Sequence, residues 1–494
     1  VANGSAAAQK LNNPLGFVIL AILAVAISLL ISSKGVVFAL LTITAVIGMP
    51  MVLASLFNLR FGIMFVLVVA FFILGAKRYL EVYNYELPLG LIMDIFVSVM
   101  FLGLVIKQTR ERDWKFARGP VSVMIVIWIG YNLLEFANPI AASRMAWFYT
   151  IRSMAGVVVV FFIALFVIDK LSMATRIIKV IIGLSLLAAL YTLWQEWIGL
   201  SDLEQFWIRS DEVLYGLLFQ GGKIRKFSFL SGPVILGILM AYVALMCFVL
   251  ALGPFKVNQK IGLVAAGLIM SLAMIYADTR TAYVILPAGF VFYTLLSMKR
   301  EAILLSALLI ALGITVLALP TMNAYHYRVK TAFSIFSGDK SAQDASFDVR
   351  LENQKRIQPF IRSHPIGGGL GSVGAWGQRF SPNTFLAQFP PDSGYVRIAV
   401  EQGWIGLILY LSLLFVVMRT GIRNYFQTRD PVIRSYYQAC LTLMFALMIA
   451  NYPQEAITQL PTNFIFFIVM ALLVKLKDFD MPAVTDPSKP LIRQ

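Results

Sequence analysis

The chain is 494 residues long, 59% hydrophobic and only 13% charged, with a net charge of +16. A soluble domain is about 45–50% apolar and about 25% charged, so this composition excludes an ordinary soluble fold and points to the membrane. Its two cysteines, Cys247 and Cys440, lie in apolar runs, and its two histidines are His326 and His364. Neither a disulfide framework nor a thiolate- or imidazole-built metal or haem centre is expected from them.

Apolar runs near the bilayer-spanning length of about 20 residues recur along the chain. Each reads as a helix, because lipid offers no partner to an unpaired backbone amide. In chain order they fall at 15–32, 36–54, 61–75, 88–106, 121–136, 153–169, 176–194, 231–251, 261–277, 281–297, 302–319, 394–418, 435–451 and 459–475. The third, fifth and ninth are short, so about 12–14 transmembrane helices are expected in an all-α, polytopic bundle. The first run has no small-residue cleavage site after it, which suits a retained span better than a signal peptide. No internal repeat is visible, which argues against a transporter of two related halves.

Short basic segments orient the bundle: Lys107–Lys115, Ser297–Arg300, Arg419–Arg434 and the tail after Lys475 fall on one side, the cytoplasmic one by the positive-inside rule. Two long connections, 195–231 and 320–393, then face outward. Both are rich in cations, which an anionic ligand or anionic lipid would explain. The expected divisions are N-terminal helices (1–222), helices bearing the first basic motifs (223–319), the large outer loop (320–393), and C-terminal helices with a tail (394–494). Aromatic clusters at Trp147-Phe-Tyr149, Trp194, Trp197 and Trp207 need no more than interfacial anchoring to account for them.

Three features carry chemistry. The first is Lys223-Ile-Arg225-Lys226-Phe-Ser228-Phe-Leu-Ser231-Gly-Pro233, which sets basic side chains at the mouth of a span with Pro233 suited to its first turn. Cations beside exposed helix amides suit a phosphate; an ordinary basic loop against lipid headgroups is the bland alternative. The second is Ala277-Asp278-Thr279-Arg280-Thr281, almost without loop between two apolar runs. Arginine at helix-centre depth costs about 2.5–3.5 kcal/mol on insertion scales, so Arg280 is either paired with Asp278 or a second anion clamp.

The third runs from Arg362-Ser-His364-Pro365-Ile-Gly367-Gly-Gly369-Leu-Gly371 through Pro391-Asp392-Ser393-Gly-Tyr395-Val-Arg397 to Glu401-Gln-Gly403-Trp-Ile-Gly406. Glycine lets backbone approach a ligand closely. No strand-to-helix unit or Gly-Lys-Ser/Thr accompanies it, so it is no nucleotide loop. Upstream, Phe347 to Ile361, with Arg350, has the spacing of an amphipathic helix lying on the outer membrane surface.

In this order the three features resemble the O-antigen ligase and polymerase superfamily of bacterial inner-membrane glycosyltransferases, over roughly Lys223 to Val417. The resemblance implies a GT-C-like membrane enzyme at the periplasmic face. It would take glycan from a polyprenyl-pyrophosphate carrier and transfer it with inversion to a glycan or lipid acceptor, without metal, nucleotide or other cofactor. Its partners would be that donor, that acceptor and membrane lipids, with no nucleic acid. Arg225 and Arg280 match the family's pyrophosphate-holding arginines. Asp392 stands where the family's ligases carry a histidine and would be the general base, with Glu401 as runner-up. Lys223, Lys226, Arg350, His364, Gly369, Tyr395, Arg397 and Glu401 are the candidate substrate-binding residues. The missing histidine favours a polymerase of surface polysaccharide. A ligase to lipid A core, a protein O-oligosaccharyltransferase, and, in another class, a lipid-linked glycan flippase remain the alternatives.

Overall fold

The computed structural model describes residues 48–83, 89–112, 114–220, 222–298 and 345–480, with scattered positions in 18–33 and 300–311. The runs expected at 15–32, 302–319 and most of 36–54, and the stretch 320–344 with His326, fall wholly or largely outside the described residues. The rest is helical: α1 (Leu59–Val82), α2 (Leu89–Glu111), α3 (Pro120–Leu134), α4 (Arg144–Val167), α5 (Leu171–Trp197), α6 (Asp202–Arg209), α7 (Glu212–Leu218), a short hairpin of β1 (Phe219–Gln220) and β2 (Lys223–Ile224), α8 (Pro233–Ala251), α9 (Val257–Tyr276), α10 (Arg280–Ser297), α11 (Ala345–Ser363), α12 (Gly374–Phe380), α13 (Gly394–Glu401), α14 (Gly403–Gln427), α15 (Pro431–Ala450) and α16 (Thr462–Lys475). The protein is a polytopic all-α membrane protein. Among the described residues ten helices are long and apolar enough to cross a bilayer.

Several boundaries differ from expectation. The runs expected to be short at 61–75, 121–136 and 261–277 are full spans of 24, 18 and 20 residues, because polar residues such as Arg78 and Lys260 are carried inside the helices. The run 394–418 is not one helix. It breaks at Gln402, and Gly403 takes φ +68°, a conformation that favours glycine. The last helix has only 14 residues yet is buried along most of its length against α4 and α14.

α8 is the axis of the bundle. Nearly all its residues are buried, and α5, α9, α10 and α15 pack around it. Small residues permit the close approaches that substitute for a hydrophobic driving force in lipid. At Gly237 an added Cβ would lie 2.8 Å from Thr279 Cβ, so this glycine lets α8 abut the turn before α10.

Successive spans alternate direction, which sorts the connections onto two faces. One face gathers the ends at Leu59, Glu111, Val167, Ala251 and Gln427. Arg60 pairs there with Asp169, and Lys477 Nζ reaches Gln427 O at 2.8 Å. Lys107–Lys115, Arg419–Arg434 and Lys475 lie on this face, as expected. The opposite face carries 135–143, 198–232, 277–279, 364–402 and 451–461, with contacts such as Trp207 to Glu81 and Asn138 to Gly367 O tying it together.

The amphipathic helix is present as α11, but its packing corrects the expectation. Ile357, Phe360 and Ile361 turn onto Val373, Leu386, Phe389 and Val400, so the apolar side of its second half faces a small protein core instead of lipid.

Cys247 and Cys440 are buried, so introduced thiols can report the two faces cleanly. Gln378→Cys is expected to react with an impermeant thiol reagent in intact spheroplasts, and Asn258→Cys, exposed on the basic face, only after lysis. The reverse pattern would invert the orientation.

Candidate functional site

The loop after β2 is built from Ser228 outward. Ser228 is buried with φ +54°, an uncommon conformation for a residue with a Cβ. Its N–H donates to Gln195 Oε1 (2.8 Å), its Oγ to Ala188 O (2.9 Å), and its carbonyl accepts from Arg78 Nη1 (2.9 Å). Arg78 also donates to Leu230 O, packs over Trp207 and Phe227 at 4.6 and 4.2 Å, and lies 3.9 Å from Glu204. Gln195 Nε2 closes the cluster by donating to Glu204 Oε1 at 2.7 Å. Pro233 then opens α8, where its missing N–H costs nothing. The spacing of arginine, small residue and proline thus has a structural meaning: Ser228 is the hook and Pro233 the helix start.

Held this way, Arg225 reaches across to the α9–α10 turn. Its Nε donates to Ala277 O (3.3 Å) and its Nη2 to Thr279 Oγ1 (3.1 Å). Thr279 Oγ1 in turn donates to Pro233 O at 2.9 Å. Asp278 is buried in the left-handed region at φ +47°, which turns the chain so that half-buried Arg280 begins α10. Two basic residues 55 positions apart therefore meet at one turn. Lys226 has its N–H on Tyr276 O at 3.1 Å and its ammonium 3.3 Å from Glu196, and Lys223 lies on β2.

The glycine-rich phrase folds against the second half of the late motif. Gly368 and Gly369 donate to Val400 O (2.8 Å) and Glu401 O (2.9 Å). At Gly367, φ +71°, a Cβ would stand 2.4 Å from Gly403 N. Gly369 abuts Ala141, so the close approach these glycines allow is to the protein's own backbone. His364 stacks on Phe360 with centroids 4.1 Å apart, and its Nδ1 lies 2.9 Å from Phe360 O. Arg350 lies in the first half of α11.

In α13, Ser393 is the N-cap, its side chain accepting from Val396 N; Asp392 stands just before it, partly exposed. Tyr395 Oη donates to Met448 O at 2.9 Å. Arg397 bridges two carboxylates, Glu401 at 3.1 Å and Glu455 at 2.8 Å. The Glu401 carboxylate, with Glu455 also beside it, holds the Arg397 guanidinium protonated well above its ordinary range. Burial holds the Glu401 carboxyl above its ordinary range, Arg397 offsetting this only in part. The structure thus gathers Arg225 with the Arg280 turn, and Arg397 with Glu401, on one face.

Four residues of this face were not singled out in the sequence: Arg78, Gln195, Glu204 and Glu455. Arg78 had a signal, since an ionisable residue at the end of an apolar run is costly and usually has a purpose. The others are ordinary polar residues of connections until the fold brings them together.

A helical bundle with ten helices long and apolar enough to cross a bilayer among the described residues, and with arginines and carboxylates collected on one face, defines a multi-pass membrane protein. Residues 265–411 match the family model for O-antigen ligase, and the match supports the O-antigen ligase/polymerase superfamily and, in general terms, a membrane glycan ligase or polymerase. The matched segment contains Arg280, the glycine-rich phrase, Asp392 and Glu401; Arg225 precedes it and Glu455 follows it. No curated protein matches the chain.

Gln195→Leu removes the acceptor for the Ser228 amide and a donor to Glu204. It is expected to destabilise the protein by about 1–3 kcal/mol, read from unfolding in detergent.

Proposed function

We propose that the protein polymerises surface polysaccharide, joining repeat units delivered on a polyprenyl-pyrophosphate carrier at the periplasmic face of the bacterial inner membrane. The observation that carries this reading is the bridge from Arg225 to Ala277 and Thr279, which seats one arginine at the turn that starts the helix of the other. Guanidinium groups from separate elements suit a pyrophosphate, whose oxygens they engage in a fixed fork. The basic short connections lie on the opposite face, which favours an outward location for these arginines.

The step is a single displacement. The acceptor sugar hydroxyl attacks the anomeric carbon, the bond from that carbon to the pyrophosphate oxygen breaks, and configuration inverts. Asp392 takes the hydroxyl proton, while Arg225 and Arg280 stabilise the charge that develops on the departing pyrophosphate. Support for Asp392 as the base comes from the helix start itself: capping of α13 falls to Ser393, so the aspartate is not accounted for by that role. A flippase is less well supported, since transporters bind near the midplane on broken helices and these residues collect at one face.

The decisive experiment is reconstitution of purified protein with carrier-linked oligosaccharide, without nucleotide or metal. Longer glycans are the expected product; transfer only to a lipid acceptor would favour the ligase. Arg225→Ala and Arg280→Ala are each expected to abolish elongation at normal expression, with poor rescue by lysine. Asp392→Asn is expected to lower turnover by about 10²–10⁴-fold while carrier binding persists; normal turnover in that variant removes Asp392 from the base role.

A further inference from the structure

A cavity of about 200 Å³ opens at the first turn of α8, lined by Val234, Ile235 and Ile238 on one side and by Gln454, Glu455 and Gln459 on the other. It is smaller than the about 300 Å³ at which pockets for drug-sized ligands begin, so it suits one small ring. Its chemistry is specific. The side-chain amides of Gln454 and Gln459 hydrogen-bond to no other group among the described residues. Glu455 is fixed by Arg397 Nη1 at 2.8 Å, and that guanidinium is shared with buried Glu401. One cation serves two carboxylates, so Glu455 keeps acceptor capacity for a neutral hydroxyl. No cationic side chain is among the lining residues, and a carboxylate there disfavours a phosphate. Amides and a carboxylate opposite an aliphatic wall match a sugar ring, with hydroxyls on its rim and C–H groups on its face.

The cavity also adjoins the arginine turn. Pro233, which precedes Val234, accepts from Thr279 Oγ1 at 2.9 Å, and Thr279 Oγ1 takes the Arg225 guanidinium at 3.1 Å. We infer that this cavity is a subsite for a single neutral sugar residue of the carrier-linked donor, close to its pyrophosphate, with Gln454, Gln459 and Glu455 bonding its hydroxyls. The inference rests on the carrier-linked donor proposed above and adds the residues that would recognise its sugar.

The test compares two ligands on the full-length protein in nanodiscs: bare polyprenyl pyrophosphate, and the same lipid carrying the oligosaccharide. Wild type is expected to bind the sugar-bearing carrier about five- to tenfold tighter, the worth of one or two hydrogen bonds. Gln459→Leu removes an amide, and Ile235→Trp fills the cavity from the opposite wall. Both are expected to erase the gain while binding bare carrier as wild type does, which also shows that they are folded. No gain in wild type, or a gain retained by either variant, overturns the subsite. Failure of the pyrophosphate reading shows separately, as affinity for bare carrier that Arg225→Ala leaves unchanged.

Discussion

The candidate site hangs on one buried guanidinium. Arg78 sits near the end of a membrane-spanning helix and supplies hydrogen bonds to the carbonyls of Ser228 and Leu230, which belong to neither helix nor sheet. Irregular backbone at membrane depth is tolerated only where its polar groups find partners within the protein. Arg78, Gln195 and Glu204 meet that requirement together, and aromatic rings on Trp207 and Phe227 cover the charge. Removing one member leaves the others unsatisfied in a low-dielectric setting, where an unpaired polar group is most costly.

From that anchor the geometry propagates by short links. Ser228 turns the chain, Pro233 starts α8, and Thr279 ties the start of α8 to the start of α10. Gly237 allows the contact, since a side chain there would collide with Thr279. Arg225 and Arg280 are brought together by packing of small groups in the membrane, with the arginines themselves at its edge.

A second interlock positions the carboxylates. The glycine-rich phrase lies against the α13–α14 junction, backbone to backbone, and Gly403 breaks what composition alone would make one long span. The break lets α13 lie at the surface with Arg397 clamped between Glu401 and Glu455. The Arg397 cluster ties the segment before α14 to the connection before α16.

Much was legible without coordinates. Spans follow from apolar length, because a bilayer accepts little else, and orientation follows from where short loops keep lysine and arginine. The motifs around Arg225, Arg280, His364–Gly371 and Asp392 stood out because charge and glycine are conspicuous in a chain that is 59% hydrophobic. What the chain order left open was partnership. Composition treats 394–418 as continuous and sees Glu455 as one acid in a connection, since neither a helix break nor a shared guanidinium has a local pattern. The glycines advertised close approach, and only the fold decided that what they approach is Glu401, Gly403 and Ala141. Local residue types set which segments enter lipid; which buried polar groups satisfy one another is settled by contacts between residues as far apart as Arg78 and Leu230, and those exist only once the helices have packed.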